Sequence, residues 1–178
     1  MQATFMTQTQ TSAAPPLESS RTYAWTEPAA LLPVLATTSG IEYVAGIGDA
    51  TIPPPPIAST LGFGPLRLVD GAVVLELEPQ SFHDNPIGSM HGGVIATLLD
   101  TVTGCAVHAT LPAGVGYTSL DLSVRFIRAV RPGSGTVTAT GRVVHRGSRT
   151  AVAEASLVDA SGRLIATATS TCLVMEAS

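Results

Sequence analysis

The sequence predicts an α+β fold in which a curved antiparallel sheet wraps one long central helix. Three observations predict it. The stretch Gly92 to Thr110 is apolar at helical spacing, with Val94, Ile95, Leu98, Leu99, Val102, Cys105 and Ala106 forming one broad stripe. From Tyr117 onward the chain alternates apolar and polar residues through four stretches broken by turn residues, the pattern of half-buried strands. A further alternating stretch, Arg67 to Pro79, precedes the helix and supplies strand to complete the sheet.

Each element has its own signal. Residues 1–26 are expected to form a disordered tail, because their opening stretch of Thr, Gln, Ser, Ala and Pro cannot offset the entropy of ordering it. Residues 27–56 read as a helical and polyproline segment. Leu31, Leu32 and Leu35 after Pro28 suggest a short helix, and Ile41, Tyr43, Val44 and Ile47 another turn or two beyond Ser39-Gly40. Pro53 to Pro56 then forces an extended connection. Residues 57–178 form the main domain, entered at Leu61-Gly62-Phe63-Gly64.

Within Arg67 to Pro79, Val73, Leu75 and Leu77 alternate with Val74, Glu76 and Glu78, as one bent strand or a strand pair around Asp70-Gly71. Phe82 to Ser89 is loop. After the helix, Pro112-Ala113-Gly114 turns the chain into a strand from Tyr117 to Val130. Thr136 to His145 and Thr150 to Val158 follow. Asp159 to Gly162 is a hairpin turn and Arg163 to Met175 the last strand, so a four-strand meander is expected.

Composition narrows the functional classes. The chain has 178 residues, enough for one domain with a proper core. It is 45% hydrophobic and only 12% charged, which suggests that other subunits cover part of its surface. The net charge of −4 argues against non-specific nucleic-acid binding. Cys105 and Cys172 lie far apart in apolar surroundings, and neither they nor the four histidines show zinc-ligand spacing, so both are expected reduced and buried. No signal-peptide core or bilayer-length apolar run is present, and a cytoplasmic location away from membranes is expected.

The chemistry concentrates in Asn85-Pro-Ile-Gly-Ser-Met-His91-Gly92-Gly93 and in Asp100. A helix start exposes unpaired N–H groups at the positive end of the dipole, and two glycines there let a polarised carbonyl approach closely. That suits an oxyanion hole, while a carboxylate supplies a base or nucleophile. Ala96, Thr97, Thr103 and Gly104, the helical neighbours of Asp100, are all small and leave space over it. Nine residues of helix separate His91 from Asp100, roughly 13 Å. Both can act on one carbonyl only if two subunits share the site.

These motifs resemble those of the PaaI-type acyl-CoA thioesterases of the hotdog fold, over about residues 40–176. The resemblance rests on Asn85-x-x-Gly-x-x-His91-Gly92-Gly93 with Asp100. Pro53 to Pro56 leading into Leu61-Gly62-Phe63, Ser119-Leu120-Asp121, and Val143-Val144-His145-Arg146-Gly147 add to it. It implies that residues 57–178 are a hotdog thioesterase domain hydrolysing an acyl- or aryl-CoA thioester. Gly92 N–H would bind the carbonyl oxygen, and Asp100 of the other protomer would act as general base or nucleophile. Asn85 would contact the carbonyl or the water, His91 would orient the turn and meet the leaving thiolate, and Ser119 would position the water. Arg128, Arg131, Arg146 and Arg149 are candidates for the CoA phosphates. No cofactor beyond the substrate's own CoA is implied, and a homodimer is the minimum assembly, with a homotetramer implied. The competing readings are a non-catalytic acyl-CoA sensor and, further off, an enoyl-CoA hydratase, whose Asp and His spacing neither Asp84–His91 nor Asp100–His108 matches well.

Overall fold

The computed structural model describes residues 18–131 and 133–176. The expected tail therefore lies outside the described residues up to residue 17. Residues 18–26 run without regular structure. There Arg21 donates to the carbonyls of Ser59 (2.7 Å) and Thr60 (2.5 Å), and its guanidinium lies 4.3 Å from the Phe82 ring centre.

A 3₁₀ turn at Pro28–Ala30 leads into α1 (Leu32–Thr37), and α2 (Gly40–Gly48) follows. Ser39 and Glu42 close a capping box at the start of α2, each side chain accepting the other's backbone N–H. Pro53 to Pro55 make the extended link expected. Pro56, however, opens a helix, α3 (Pro56–Leu61), that the proline run had concealed. Proline is at home in a first helical turn, and Gly62 ends the helix in the left-handed conformation at φ 66°.

The sheet has six antiparallel strands. β1 (Leu66–Val69) and β2 (Ala72–Leu77) form a hairpin across Asp70-Gly71, whose φ values of 49° and 74° suit a two-residue turn. The long helix α4 (Gly92–His108) comes next, then β3 (Val115–Phe126), β4 (Val137–Arg146), β5 (Thr150–Val158) and β6 (Leu164–Glu176). Spatial order is β1-β2-β4-β5-β6-β3. This corrects the expected four-strand meander: of its four strands only β4, β5 and β6 lie side by side in chain order. β3 sits at the far edge against β6, and the connection after it carries the chain across so that Val137 pairs with Leu77 of β2.

α4 packs across the concave face of this sheet. Val73, Leu75 and Leu77 point inward from β2 as their alternation predicts, meeting Ile95, Leu98, Leu99 and Val102 of the helix. Glycine at 141 permits the closest approach, since a Cβ there would collide with the Val102 carbonyl. Small residues on β5 and β6, such as Ala155 and Ala168, keep the helix close along the rest of its length. Among the described residues no helix is long and apolar enough to cross a membrane.

Candidate active site

The turn before α4 is pinned on two sides. His91 N–H donates to the His83 carbonyl (2.8 Å) and Met90 N–H to the Val130 carbonyl (2.9 Å). His83 is itself buried, accepting the Gln80 N–H on Nδ1 and donating from Nε2 to the Leu61 carbonyl. His91 is the N-cap of α4, extended at φ −63° and ψ 137°, and its Nδ1 accepts the Gly93 N–H at 2.9 Å. Its carbonyl accepts from Val94 and Ile95. The Gly92 N–H alone of these finds no acceptor among the described residues. It stands at the positive end of a 17-residue helix.

Asn85 builds the loop ahead of this turn. Its Oδ1 accepts from Ile87 N–H (3.0 Å), and its amide donates to Ser89 Oγ (3.2 Å). Its backbone N–H also donates to the Ser89 carbonyl. The residue is therefore an Asx-turn anchor with one amide hydrogen left over.

Asp100 lies half-buried two turns further along α4, and its Oδ1 accepts from Ser119 Oγ at 3.1 Å. A β-bulge brings Ser119 there. The register of β3 against β6 shifts between Ser119, opposite Cys172, and Asp121, opposite Thr171, leaving Leu120 unpaired. Before the bulge Tyr117 and Ser119 face the helix; after it Leu122 and Val124 pack on the core. Plain alternation would have turned Leu120 inward, and it is instead 57% exposed.

β3 runs antiparallel to α4. Phe126 stands over Gly92, its Cζ 3.2 Å from where a Cβ would be, and Tyr117 packs against Gly104. Within one chain Gly92 and Asp100 are eight helical residues apart, roughly 12 Å. Cys105 packs against the core as its place in the apolar stripe predicts, and it also lines a cavity between α4, β3 and the N-terminal segment. Burial and then the nearby Asp100 charge push its thiol up to about 12, so it stays protonated and is no nucleophile. Both cysteines are free.

The four arginines fall into two pairs. Arg128 donates to the Leu164 carbonyl (3.0 Å), and it and exposed Arg131 flank Val130, beside the start of α4. Arg146 and Arg149 occupy the β4–β5 turn at the opposite end of the sheet, roughly 30 Å away at about 3.3 Å per strand residue. Among the described residues no three His, Cys, Asp or Glu side chains converge as a metal site would need.

A six-stranded antiparallel sheet rolled around one long helix is the hotdog architecture. Comparison with known proteins carries this to the family. The thioesterase superfamily model matches residues 87–166. Human acyl-coenzyme A thioesterase 13 is 32% identical over 97 residues, 54% of this chain and 68% of that one. Among solved structures, a phenylacetic acid degradation-related protein of Ralstonia eutropha JMP134 superposes with a TM-score of 0.67 at 31% identity, covering 74% of this chain and 98% of its own. The PaaI protein of E. coli shares the fold at TM-score 0.67 and 23% identity, over 79% and 99% of the two chains. The chain belongs to the thioesterase superfamily and is a thioester hydrolase.

Sequence reasoning missed one part of the site's surroundings. A cavity of about 770 Å³ opens between α4, the start of β3 and the segment from Arg21 to Leu66, reaching α4 at Thr101, Cys105 and His108. Tyr43, His108 and Tyr117 line it. His108 reads from sequence as a surface or satisfied histidine, and it is neither: both ring nitrogens are buried without a partner among the described residues.

Proposed function

We propose that the protein hydrolyses an acyl- or aryl-CoA thioester at a site shared by two protomers. The carrying observation is the pair of half-sites on one helix: an unbonded Gly92 N–H, and roughly 12 Å away the Asp100 carboxylate with Ser119 on its oxygen. Neither half suffices alone. β3 supports the pairing, because it is a long edge strand with Leu120 and Phe126 exposed along it and Ile127 exposed just past its end. Two such strands joined antiparallel near Leu122 and Ser123 bring Phe126, and with it Gly92, opposite Ser119 of the partner subunit.

In that arrangement the thioester carbonyl oxygen takes the Gly92 N–H, aided by the helix dipole. Asp100 of the partner subunit takes a proton from water as the water oxygen attacks the carbonyl carbon, and Ser119 orients the carboxylate or the water. Collapse of the tetrahedral intermediate breaks the C–S bond, and CoA leaves as a thiolate that is then protonated. In the alternative course the Asp100 oxygen attacks the carbonyl carbon, the C–S bond breaks to release the CoA thiolate, and water then opens the resulting anhydride to the free acid and Asp100. His91 holds the turn through Gly93 and meets the leaving sulfur. Asn85 fixes the preceding loop, with its spare N–H for the carbonyl or the water. The thioester is already activated, so the chemistry calls for no metal or redox cofactor.

The same antiparallel pairing sets the Arg128–Arg131 end of one protomer against the end of its partner that carries the other two arginines. All four are then assigned to CoA phosphates. A homotetramer of such dimers, in the cytoplasm, completes the proposal. Thiol release from a panel of phenylacetyl-, hydroxybenzoyl- and short to long fatty acyl-CoA tests it. Turnover of at least one class is expected. Binding of acyl-CoA with no thiol release from any member would favour a sensor instead.

A further inference from the structure

His83 stands outside the His-Gly-Gly motif, yet every polar group it owns is bonded. Its backbone N–H donates to the Gln80 carbonyl at 2.9 Å, and its carbonyl accepts the His91 N–H at 2.8 Å. In the ring, Nδ1 accepts the Gln80 N–H at 3.0 Å. A backbone N–H can only donate, so the ring proton sits on Nε2, which donates to the Leu61 carbonyl at 2.7 Å. The residue is 1% exposed. A buried ring bonded along two edges has neither side-chain torsion free.

These bonds join α3 to the active turn. Leu61 is the last residue of α3, and the carbonyls of a helix's last turn lack an α-helical partner. Here three in succession are met from outside: Arg21 takes those of Ser59 and Thr60, and His83 takes that of Leu61. Arg21 also lies over the Phe82 ring, whose centre is 4.1 Å from that of the His83 ring. From His83 the chain runs out through Asn85 and returns to Met90. The loop is closed at its base by the Asp84–Met90 bridge and by the His91 N–H on the His83 carbonyl. The next N–H along the chain is that of Gly92. Only His91, extended at φ −63° and ψ 137°, separates the held N–H from the unbonded one.

We propose that His83 is a positioning residue for thioester hydrolysis. Its ring, locked between Gln80 and Leu61, sets its carbonyl, and that carbonyl aims the Gly92 N–H at the thioester oxygen. The proposal rests on Gly92 being the oxyanion donor. Such a donor works by being in place before charge develops, and a misplacement of about 1 Å can cost about 100-fold in rate. His83 touches no reacting atom, so its effect belongs in kcat and not in KM.

Steady-state thiol release tests this on the thioester that the panel shows to be turned over. His83→Phe keeps a buried ring and removes both nitrogens. It should lower kcat about 10- to 100-fold with KM within about twofold. His83→Asn restores an acceptor for Gln80 and His83→Gln a donor for Leu61. Each should recover part of the loss, and the two carry the test if His83→Phe does not fold. The deciding readout repeats the substitution in Gly92→Pro, where the N–H is gone. There it should cost less than about threefold, because the two changes remove one and the same interaction. An equal loss in both backgrounds marks a general weakening of the fold and overturns the assignment, as does wild-type kcat in the His83 variants. If Gly92→Pro turns over as fast as Gly92→Ala, the donor itself is refuted and the positioning role falls with it.

Discussion

Replacing Asp100 by alanine is expected to lower kcat by about 100- to 10,000-fold, the usual weight of a positioned acid–base group, with the fold unchanged. The carboxylate is half-buried, and among the described residues its side chain makes one hydrogen bond, from Ser119, and no ion pair. Its removal therefore leaves no buried charge unpaired. Asp100→Asn keeps the shape and an acceptor for Ser119, yet loses the proton-accepting and nucleophilic oxygen, and should fall as far. Steady-state thiol release checks the rate, and the thermal midpoint checks the fold. An Asp100→Ala protein that retains near-full turnover contradicts the mechanism. Single turnover in oxygen-labelled water then probes the role of the carboxylate in wild type: label recovered in Asp100 marks an anhydride opened at the Asp100 carbonyl, which a general base never produces.

The second large effect is expected at a backbone hydrogen. Gly92→Pro removes the N–H, and the local structure accepts the ring. Gly92 is the first residue of α4, where proline is tolerated because that N–H has no helical acceptor. His91 is already extended at ψ 137°, as the residue before a proline must be. The new Cβ meets Phe126 at 3.2 Å, an exposed ring with room to yield. Gly92→Ala carries the same Cβ and keeps the N–H, so it is the matched control. The proline variant should turn over about 100- to 1,000-fold more slowly than the alanine variant, the loss found on removing an oxyanion-hole donor. Equal rates in the two variants would show that the Gly92 N–H stabilises no developing charge.

The residues that made this site legible are those whose chemistry is local. The helix with its stripe, the His-Gly-Gly turn and the lone Asp100 follow from periodicity and spacing along one segment, as do the β1–β2 hairpin at Asp70-Gly71 and the β5–β6 turn. What sequence could not supply was set by non-local pairing. Nothing in the alternation of β3 reveals that its partner is β6 rather than β4, and nothing announces the bulge at Leu120 that turns Ser119 onto Asp100. Pro53 to Pro56 reads as extended throughout, although proline is equally compatible with a helix start, and Gly62 at the left-handed cap was the available sign of α3. His108 enters the sequence reading only as a poorly spaced hydratase partner of Asp100, because its isolation is a property of the packing around it, built from α2, α4 and β3 together.

The central claim is that each active site takes Gly92 from one protomer and Asp100 from the other, and mixing the two disabled chains tests it directly. Asp100→Ala and Gly92→Pro subunits, each inactive as its own dimer, are co-expressed with different tags and the mixed dimer is isolated. One of its two sites combines the intact Gly92 of the first chain with the intact Asp100 of the second, and its other site carries both defects. Such a dimer should recover about half the wild-type turnover, since the oxyanion donor and the carboxylate are both present at one site of two. A mixed dimer as inert as its parents would place both groups in one chain and contradict the shared site.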